Sequence, residues 1–205
     1  MSNPTRIVYL LDDEPGMVKA VTRLLRTQGF QVQGFTSAAS FLETYCPGSD
    51  SCLILDVAMP ELDGLCLQRR LTHNGILLPI VFLTGHGDIP MSVRAMKAGA
   101  VDFLTKPVKD VDLLRAVRAA LARAAEQREA AAISARLTLL TPREREVMKH
   151  VIAGKLNKQI ASDLGTGEQN IKIHRGRMMH KMGLESVADL VRIAEKLGID
   201  RIEDQ

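Results

Sequence analysis

Residues 79–107 read PIVFLTGHGDIPMSVRAMKAGAVDFLTKP. Ile80–Thr84 is a short, unbroken apolar run bounded by Pro and Gly, the pattern of a strand buried on both faces. Pro90–Ala98 changes to an amphipathic helical period, and Gly99 follows where a left-handed cap is needed. Val101–Thr105 returns to a β-rich run. Strand, helix and strand in succession imply a βαβ unit with parallel strands. Working outward, the same alternation extends over the first 120 residues. Further strands are predicted at Ile7–Leu11, Phe30–Phe35 and Cys52–Val57. Amphipathic helices are predicted at Pro15–Gln28, Ala38–Tyr45 and Gly64–Leu71, with another beginning near Val111. Gly29 and Gly75 again fall just after helical stretches. The expected fold is α/β, a five-stranded parallel sheet with helices on both faces.

Beyond Val111 the helical pattern continues through ALARAAEQREAAAISARL, which has no Gly or Pro and is rich in strong helix formers. It is too polar to be core and reads as the last helix of the first domain running on, as a linker helix, to about Arg136. Helix starts then crowd together. Thr141-Pro142-Arg143-Glu144 is a capping box with Pro at the first helical position. Asn157 is expected to cap a second helix, Lys158 to Leu164, ended by Gly165. A third helix runs from about Glu168 to Met182, stopped by Gly183, and Ser186 with Asp189 opens a fourth. Four short helices in about 60 residues, the second and third joined by a tight turn, are helix-turn-helix geometry. The expected division is 1–121, a helical linker over 122–137, and an all-α domain over 138–205.

Composition agrees. The 205 residues suit two small domains, and 46% hydrophobic with 25% charged residues allows each a core. No apolar run approaches the roughly 18 residues of a membrane span. The N-terminal apolar stretch is too short, and too soon followed by acids, for a signal peptide. Cys46, Cys52 and Cys66 have no metal-binding spacing and read as reduced thiols of a cytoplasmic protein without a membrane partner. The net charge of +3 is unevenly placed. Residues 1–120 carry 12 Lys/Arg against 12 Asp/Glu, whereas 141–182 carry 9 against 4. Lys172, Arg175, Arg177 and Lys181, with His174 and His180, occupy 172–181 without an acid. Such a patch suits a polyanion, and it also describes a solvated basic helix face.

Five reactive side chains sit at predicted strand ends. Asp12 and Asp13 follow the first strand, Asp56 ends the third, Thr84 ends the fourth and Lys106 follows the fifth. Reactive groups in open parallel sheets collect at the carboxyl ends of the strands. Three hard oxygen ligands with room for water match Mg²⁺. A carboxylate beside that ion can attack a phosphoryl group, and a hydroxyl and an ammonium can hold its oxygens. Singly, each residue reads as an ordinary turn or cap; the five in register are what point to phosphoryl chemistry.

LLDDEPG (10–16), LILDVAMPELDG (53–64) and the segment 79–107 resemble the receiver domain of bacterial two-component systems over residues 1–120. The resemblance implies a flavodoxin-like fold that takes a phosphoryl group onto Asp56. It implies Mg²⁺ held by Asp12, Asp13, Asp56 and the backbone carbonyl of Ala58, with Thr84 and Lys106 on the phosphoryl oxygens. Phe103 matches the switch aromatic, and Lys106–Pro107 matches a cis bond of the family. GHGDIP points to the FixJ-like subgroup. Ala58 offers no side chain and His86 stands two residues after Thr84; both bear on the lifetime of the phosphoryl group.

LTPREREVMKHVIAGKLNKQIASDLGTGEQNIKIHRGRMMHKMG (140–183) resembles the LuxR-type helix-turn-helix of the NarL/FixJ response regulators over about 138–200. Ile160, Ala161, Leu164, Ile171, Ile173, Met178, Met179 and Met182 are candidates for its core. The resemblance places Lys172, Ile173 and Gly176 at the major groove and Lys158 and Arg175 near the DNA backbone; Arg177 is within reach of phosphates. Gln169 and Asn170, departures from the family's usual pair, can make bidentate contacts to adenine. Gly167 replaces the usual Ser cap at little cost. His174 reads equally as a DNA contact or a half-buried core histidine. The stripe Val187, Leu190, Val191, Ala194 and Leu197 suits either core packing or the dimer interface of LuxR-type domains.

The resulting expectation is a DNA-binding response regulator, not an enzyme. A partner histidine kinase phosphorylates it on Asp56, which promotes a homodimer on paired DNA half-sites, with RNA polymerase as a further partner. Two alternatives are a Mg²⁺-dependent phosphohydrolase with an Asp nucleophile and a regulator that binds DNA independently of phosphorylation. Against the first, no acid stands two residues beyond Asp56.

Overall fold

Parallel pairing of β1 (Ile7–Leu11) with both β2 (Gln31–Phe35) and β3 (Ser51–Asp56) sets the topology of the first part of the chain. β4 (Ile80–Thr84) and β5 (Asp102–Thr105) continue outward from β3, so the order is β2-β1-β3-β4-β5 and every pair is parallel. The computed structural model describes residues 6–47, 49–60, 62–85 and 88–199. The chain divides into two compact units, Met1–Arg128 and Glu129–Gln205.

In the first unit, α1 (Pro15–Thr27), α2 (Ala38–Thr44), α3 (Gly64–His73), α4 (Ile89–Lys97) and the start of α5 (Asp110–Thr138) cover the sheet. Alternation along each strand sorts the side chains. Val8, Leu10, Cys52, Ile54, Val81 and Leu83 pack against Val21 and Leu25 of α1 and Leu113, Ala116 and Val117 of α5. Tyr9, Leu11, Leu53, Leu55, Ile80 and Phe82 face the other side, against Phe41 of α2, Leu67 and Leu71 of α3 and Ala95 of α4. A strand covered on both faces needs apolar residues at every position, which is why β3 and β4 read as unbroken runs. Each such side chain contributes about 1.5–3 kcal/mol by leaving water. The thiol of Cys52, fully buried here, is pushed up to about 12 by desolvation, and all three cysteines are free.

Residues 122–137, read as a polar linker, lie inside α5. Ala124 is buried, and Ile133 belongs to the core of the second unit. A mainly polar helix hides this because burial falls on one narrow stripe.

The second unit adds α6 (Pro142–Ile152), α7 (Asn157–Asp163), α8 (Glu168–Met182) and α9 (Val187–Lys196). The capping box forms: Glu144 N–H donates to Thr141 Oγ1 at 3.3 Å and Thr141 N–H to Glu144 Oε2 at 2.9 Å. Gly183 ends α8 with φ 64, a left-handed turn that any Cβ would oppose. Two expectations need correction. Asn157 is the first residue of α7, not its cap; Leu156 takes that position and its N–H donates to Gln159 Oε1 at 2.8 Å. Ile173 is 43% exposed, so it is no core residue, whereas Ile160, Ala161, Ile171, Met178 and Met182 are buried and Leu164 and Met179 pack at the edge. In α9, Leu190 and Ala194 belong to this core. Among the described residues no helix is long and apolar enough to cross a membrane.

Candidate functional site

Register assembles the first site. Leu11 of β1 pairs with Leu55 of β3, Asp56 with Leu83 of β4, and Thr84 with Thr105 of β5. Asp12, Asp56, Thr84 and Lys106 therefore emerge together at the carboxyl ends of four adjacent strands, where the strand order reverses. Ligand oxygens of Asp12, Asp13 and Asp56 lie within 4.8 Å of one another. Asp12, Asp56 and Thr84 are buried, Asp13 is half-buried and Ala58 is exposed in the turn beyond β3. Lys106 Nζ lies 2.7 Å from Asp12 Oδ2, 3.6 Å from Asp56 Oδ1 and 3.9 Å from Glu14 Oε1. The Lys106–Pro107 bond is cis. Phe103 is half-buried on β5, its ring 6.0 Å from that of Phe82. His86 lies outside the described residues.

Three features of this site went unread in the sequence. Glu14, the third acid of the DDE run, joins the Lys106 cluster. The Val57 N–H donates to Asp56 Oδ1 at 2.9 Å and fixes that carboxylate's orientation. At Gly64 a Cβ would stand 2.3 Å from the Asp56 carbonyl oxygen, so only glycine lets α3 start this close to the end of β3. A glycine opening a helix was the available signal.

Three acids, Asp12, Glu14 and Asp56, lie within 4 Å of one ammonium, and the titration reflects it. Burial raises the Asp56 pKa, Asp12 and Asp13 raise it further, and Lys106 and the Val57 N–H only partly oppose them. Burial lowers that of Lys106, but its hydrogen bond to Asp12 and the charges of Asp12, Asp56 and Glu14 outweigh burial and hold it above the usual lysine value. An excess of hard oxygen donors over cations is the donor set a divalent metal ion completes. The arrangement can bind Mg²⁺ and present a carboxylate oxygen to an electrophilic phosphorus.

The second site is the outer face of α8. Gln169, Lys172, Ile173, Gly176, Arg177 and His180 are exposed, and their spacing puts them on one side of the helix. A Cβ on Gly176 would meet nothing within 4 Å, so no packing inside the unit requires glycine there. Asn170 is exposed, its Nδ2 donating to Thr166 Oγ1 at 3.2 Å, and Lys158 is exposed on α7. The cationic cluster divides. Lys172 and Arg177 face outward, whereas Lys181 donates to Glu144 Oε2 at 2.7 Å and to the Leu139 carbonyl at 3.1 Å. Arg175 Nη1 donates to Asn157 Oδ1 at 3.0 Å, and Arg175 and His174 are half-buried. The Glu144 carboxyl is buried, which would raise its pKa, but Lys181 and Thr141 outweigh this and hold it below the usual carboxylate range.

A doubly wound sheet with acids, a hydroxyl and an ammonium at its switch point, followed by a helix-turn-helix with an exposed cationic helix, defines a two-component response regulator. Residues 8–118 match the response regulator receiver domain and residues 138–194 match the bacterial regulatory proteins of the luxR family. The chain belongs to the response regulators that join a receiver to a LuxR-type DNA-binding domain. It is similar to Nodulation protein W of Bradyrhizobium diazoefficiens, 49% identical over 94% of this chain and 87% of that protein. Among solved structures it is similar to the response regulator StyR, with a TM-score of 0.72, 42% identity and coverage of 94% of this chain and 99% of the other. It is also similar to full-length FixJ from B. japonicum, with a TM-score of 0.58, 38% identity and coverage of 97% and 100%. Receiver domains typically bind Mg²⁺ at an acidic site, and Asp12, Asp13 and Asp56 form such a cluster here.

Proposed function

We propose that this response regulator accepts a phosphoryl group on Asp56 from a sensor histidine kinase in the cytoplasm and then, paired with a second copy, binds promoter DNA through α8. Residues 1–121 are assigned the receiver role, 138–205 the DNA-binding role, and the helical 122–137 joins them. The convergence of Asp12, Asp13, Asp56, Thr84 and Lys106 at the switch point carries the reading. Asp12, Asp13, Asp56 and the Ala58 carbonyl would hold Mg²⁺, which when bound neutralises the acids and shields the phosphoryl oxygens. An Asp56 carboxylate oxygen forms the new O–P bond as the P–N bond to the kinase histidine breaks, the electron pair leaving on the imidazole nitrogen. Lys106, already beside Asp56, and Thr84 then hold phosphoryl oxygens.

Movement of Thr84 and Phe103 toward the phosphoryl group would remodel α4, β5 and the start of α5. That surface suits pairing: Ile89, Val93 and Met96 of α4 are exposed at helical spacing, and Val111 of α5 is 76% exposed. A two-fold pair would set two copies of α8 on half-sites about 10 base pairs apart, or a multiple of that. Lys172, Ile173 and Gly176 meet the major groove, Gln169 and Asn170 read adenines, and Lys158 and Arg177 lie by the phosphates, with RNA polymerase as a further partner on the promoter. The test is intact-mass measurement after acetyl phosphate and Mg²⁺, with DNA binding followed in parallel. Wild type should gain one phosphoryl group, dimerise and bind more tightly, and Asp56→Asn should do none of these. Equal labelling of Asp56→Asn would overturn the site assignment.

A further inference from the structure

In the middle of α8, Arg175 is turned to an internal partner. Its neighbours Lys172 and Arg177 extend from the exposed side, whereas Arg175 is half-buried and its Nη1 donates to Asn157 Oδ1 at 3.0 Å. Asn157 opens α7, so this bond joins the beginning of the first helix of the helix-turn-helix to the middle of the second. The pairing also explains why Asn157 does not cap. Its side-chain oxygen, the usual acceptor for a helix's first N–H groups, is directed to the guanidinium instead. α7 is short, and its contacts with α8 come from apolar residues such as Ile160, Ala161 and Ile171 in the shared core. Apolar packing is non-directional and tolerates small rotations; a hydrogen bond to a rigid, planar guanidinium does not. The bond therefore fixes how steeply α8 leaves α7, the angle on which groove entry depends.

We infer that Arg175 is a positioning residue: it locks α7 to α8 through Asn157 and neutralises no phosphate, in place of the backbone contact assigned to it above. The inference rests on the reading that α8 is presented to DNA, and the control below separates the two. The probe is a duplex selected by the wild-type full-length protein from a random-sequence library, with a scrambled duplex for comparison, titrated over a range of salt. Loss of one hydrogen bond to a charged group should weaken binding roughly tenfold in both Arg175→Ala and Asn157→Ala. The double variant should bind no worse than either single one, because both remove the same bond. The salt slope of Arg175→Ala should equal that of wild type, while Lys172→Ala loses close to one unit per bound chain. Preference for the selected over the scrambled duplex should fall in both single variants, which mere loss of folded protein would not produce. A slope for Arg175→Ala reduced like that of Lys172→Ala, with Asn157→Ala binding as wild type, would overturn the inference. If Lys172→Ala leaves the slope unchanged, the α8 reading itself fails.

Discussion

Gly64→Ala exchanges one hydrogen for a methyl group, yet it reaches Asp56, the proposed phosphoacceptor, from behind. The new Cβ would lie 2.3 Å from the Asp56 carbonyl oxygen, 3.1 Å from Val57 Cα and 3.2 Å from the Asp56 carbonyl carbon. All three are backbone atoms and cannot swing aside. Ordinary contact begins near 3.4 Å, so something must move by about 1 Å. β3 is paired on both sides, with β1 and β4, and resists displacement. The start of α3 and Val57 give way instead, straining the 2.9 Å bond from Gly64 N–H to the Val57 carbonyl. Val57 orients the Asp56 carboxylate through its own N–H, so the shift reaches the reacting oxygens. Overpacking of this kind costs about 1–3 kcal/mol, a fall in receiver Tm of roughly 4–12 °C. A 1 Å misplacement of a reacting group costs on the order of 100-fold in rate. Thermal denaturation and the rate of acetyl-phosphate labelling measure both. Gly16→Ala, where an added Cβ meets nothing within 4 Å, is the control. If Gly64→Ala matches Gly16→Ala in both Tm and rate, the close approach has no bearing on the site.

Lys106→Ala should leave a folded receiver in which phosphorylation no longer raises DNA affinity, checked by circular dichroism and binding with and without phosphodonor. Mg²⁺ should raise the receiver Tm with its concentration, as a ligand of the folded state does, and Asp13→Asn should need more Mg²⁺ for the same shift. Because folding lowers the Glu144 pKa, that carboxylate stabilises the second unit fully above its unfolded value of roughly 4.3, and the contribution is lost as pH falls through the lower folded value. Glu144→Gln should therefore be less stable at pH 7, by about 1–3 kcal/mol for an impaired charged hydrogen bond whose lysine is partly exposed, and should show a shallower acid limb in pH-dependent denaturation. Gly176→Ala should stabilise α8 by about 0.5–1 kcal/mol, since nothing lies in its way, yet weaken binding to a selected duplex; stronger binding would show that DNA does not approach the bare backbone there.

What the sequence yields depends on whether the cause is local. The central strands β1, β3 and β4 were legible because burial on both faces leaves an unbroken apolar run, and the acids at their ends because a strand's last residue is marked by the change in polarity that follows it. Helix ends at Thr141, Gly183 and Ser186 were legible because their capping partners lie within four residues. Asn157 was misread for the opposite reason. Its intrinsic preference for a cap is real, but the partner that takes its oxygen, Arg175, lies 18 residues away on another helix. Lys181 was grouped with the cations of a polyanion-binding face, and only the fold brings it 2.7 Å from Glu144, 37 residues earlier. Ile173 reads as core by its side-chain type and as a groove position by resemblance; three-dimensional placement excludes the first and puts it on the outer stripe between Lys172 and Gly176, where an apolar side chain can meet a thymine methyl group. Charge and hydrophobicity thus point to the helix proposed to face a partner, while the division of its side chains between contact and support is a property of the packed domain. That division has a functional consequence: of the four cations within 172–181, Lys172 and Arg177 extend outward unengaged by the internal bonds that hold Arg175 and Lys181, so on the proposed reading α8 itself offers two exposed charges to a phosphate backbone, and the salt dependence of binding should scale with those two, together with Lys158, rather than with the full cluster.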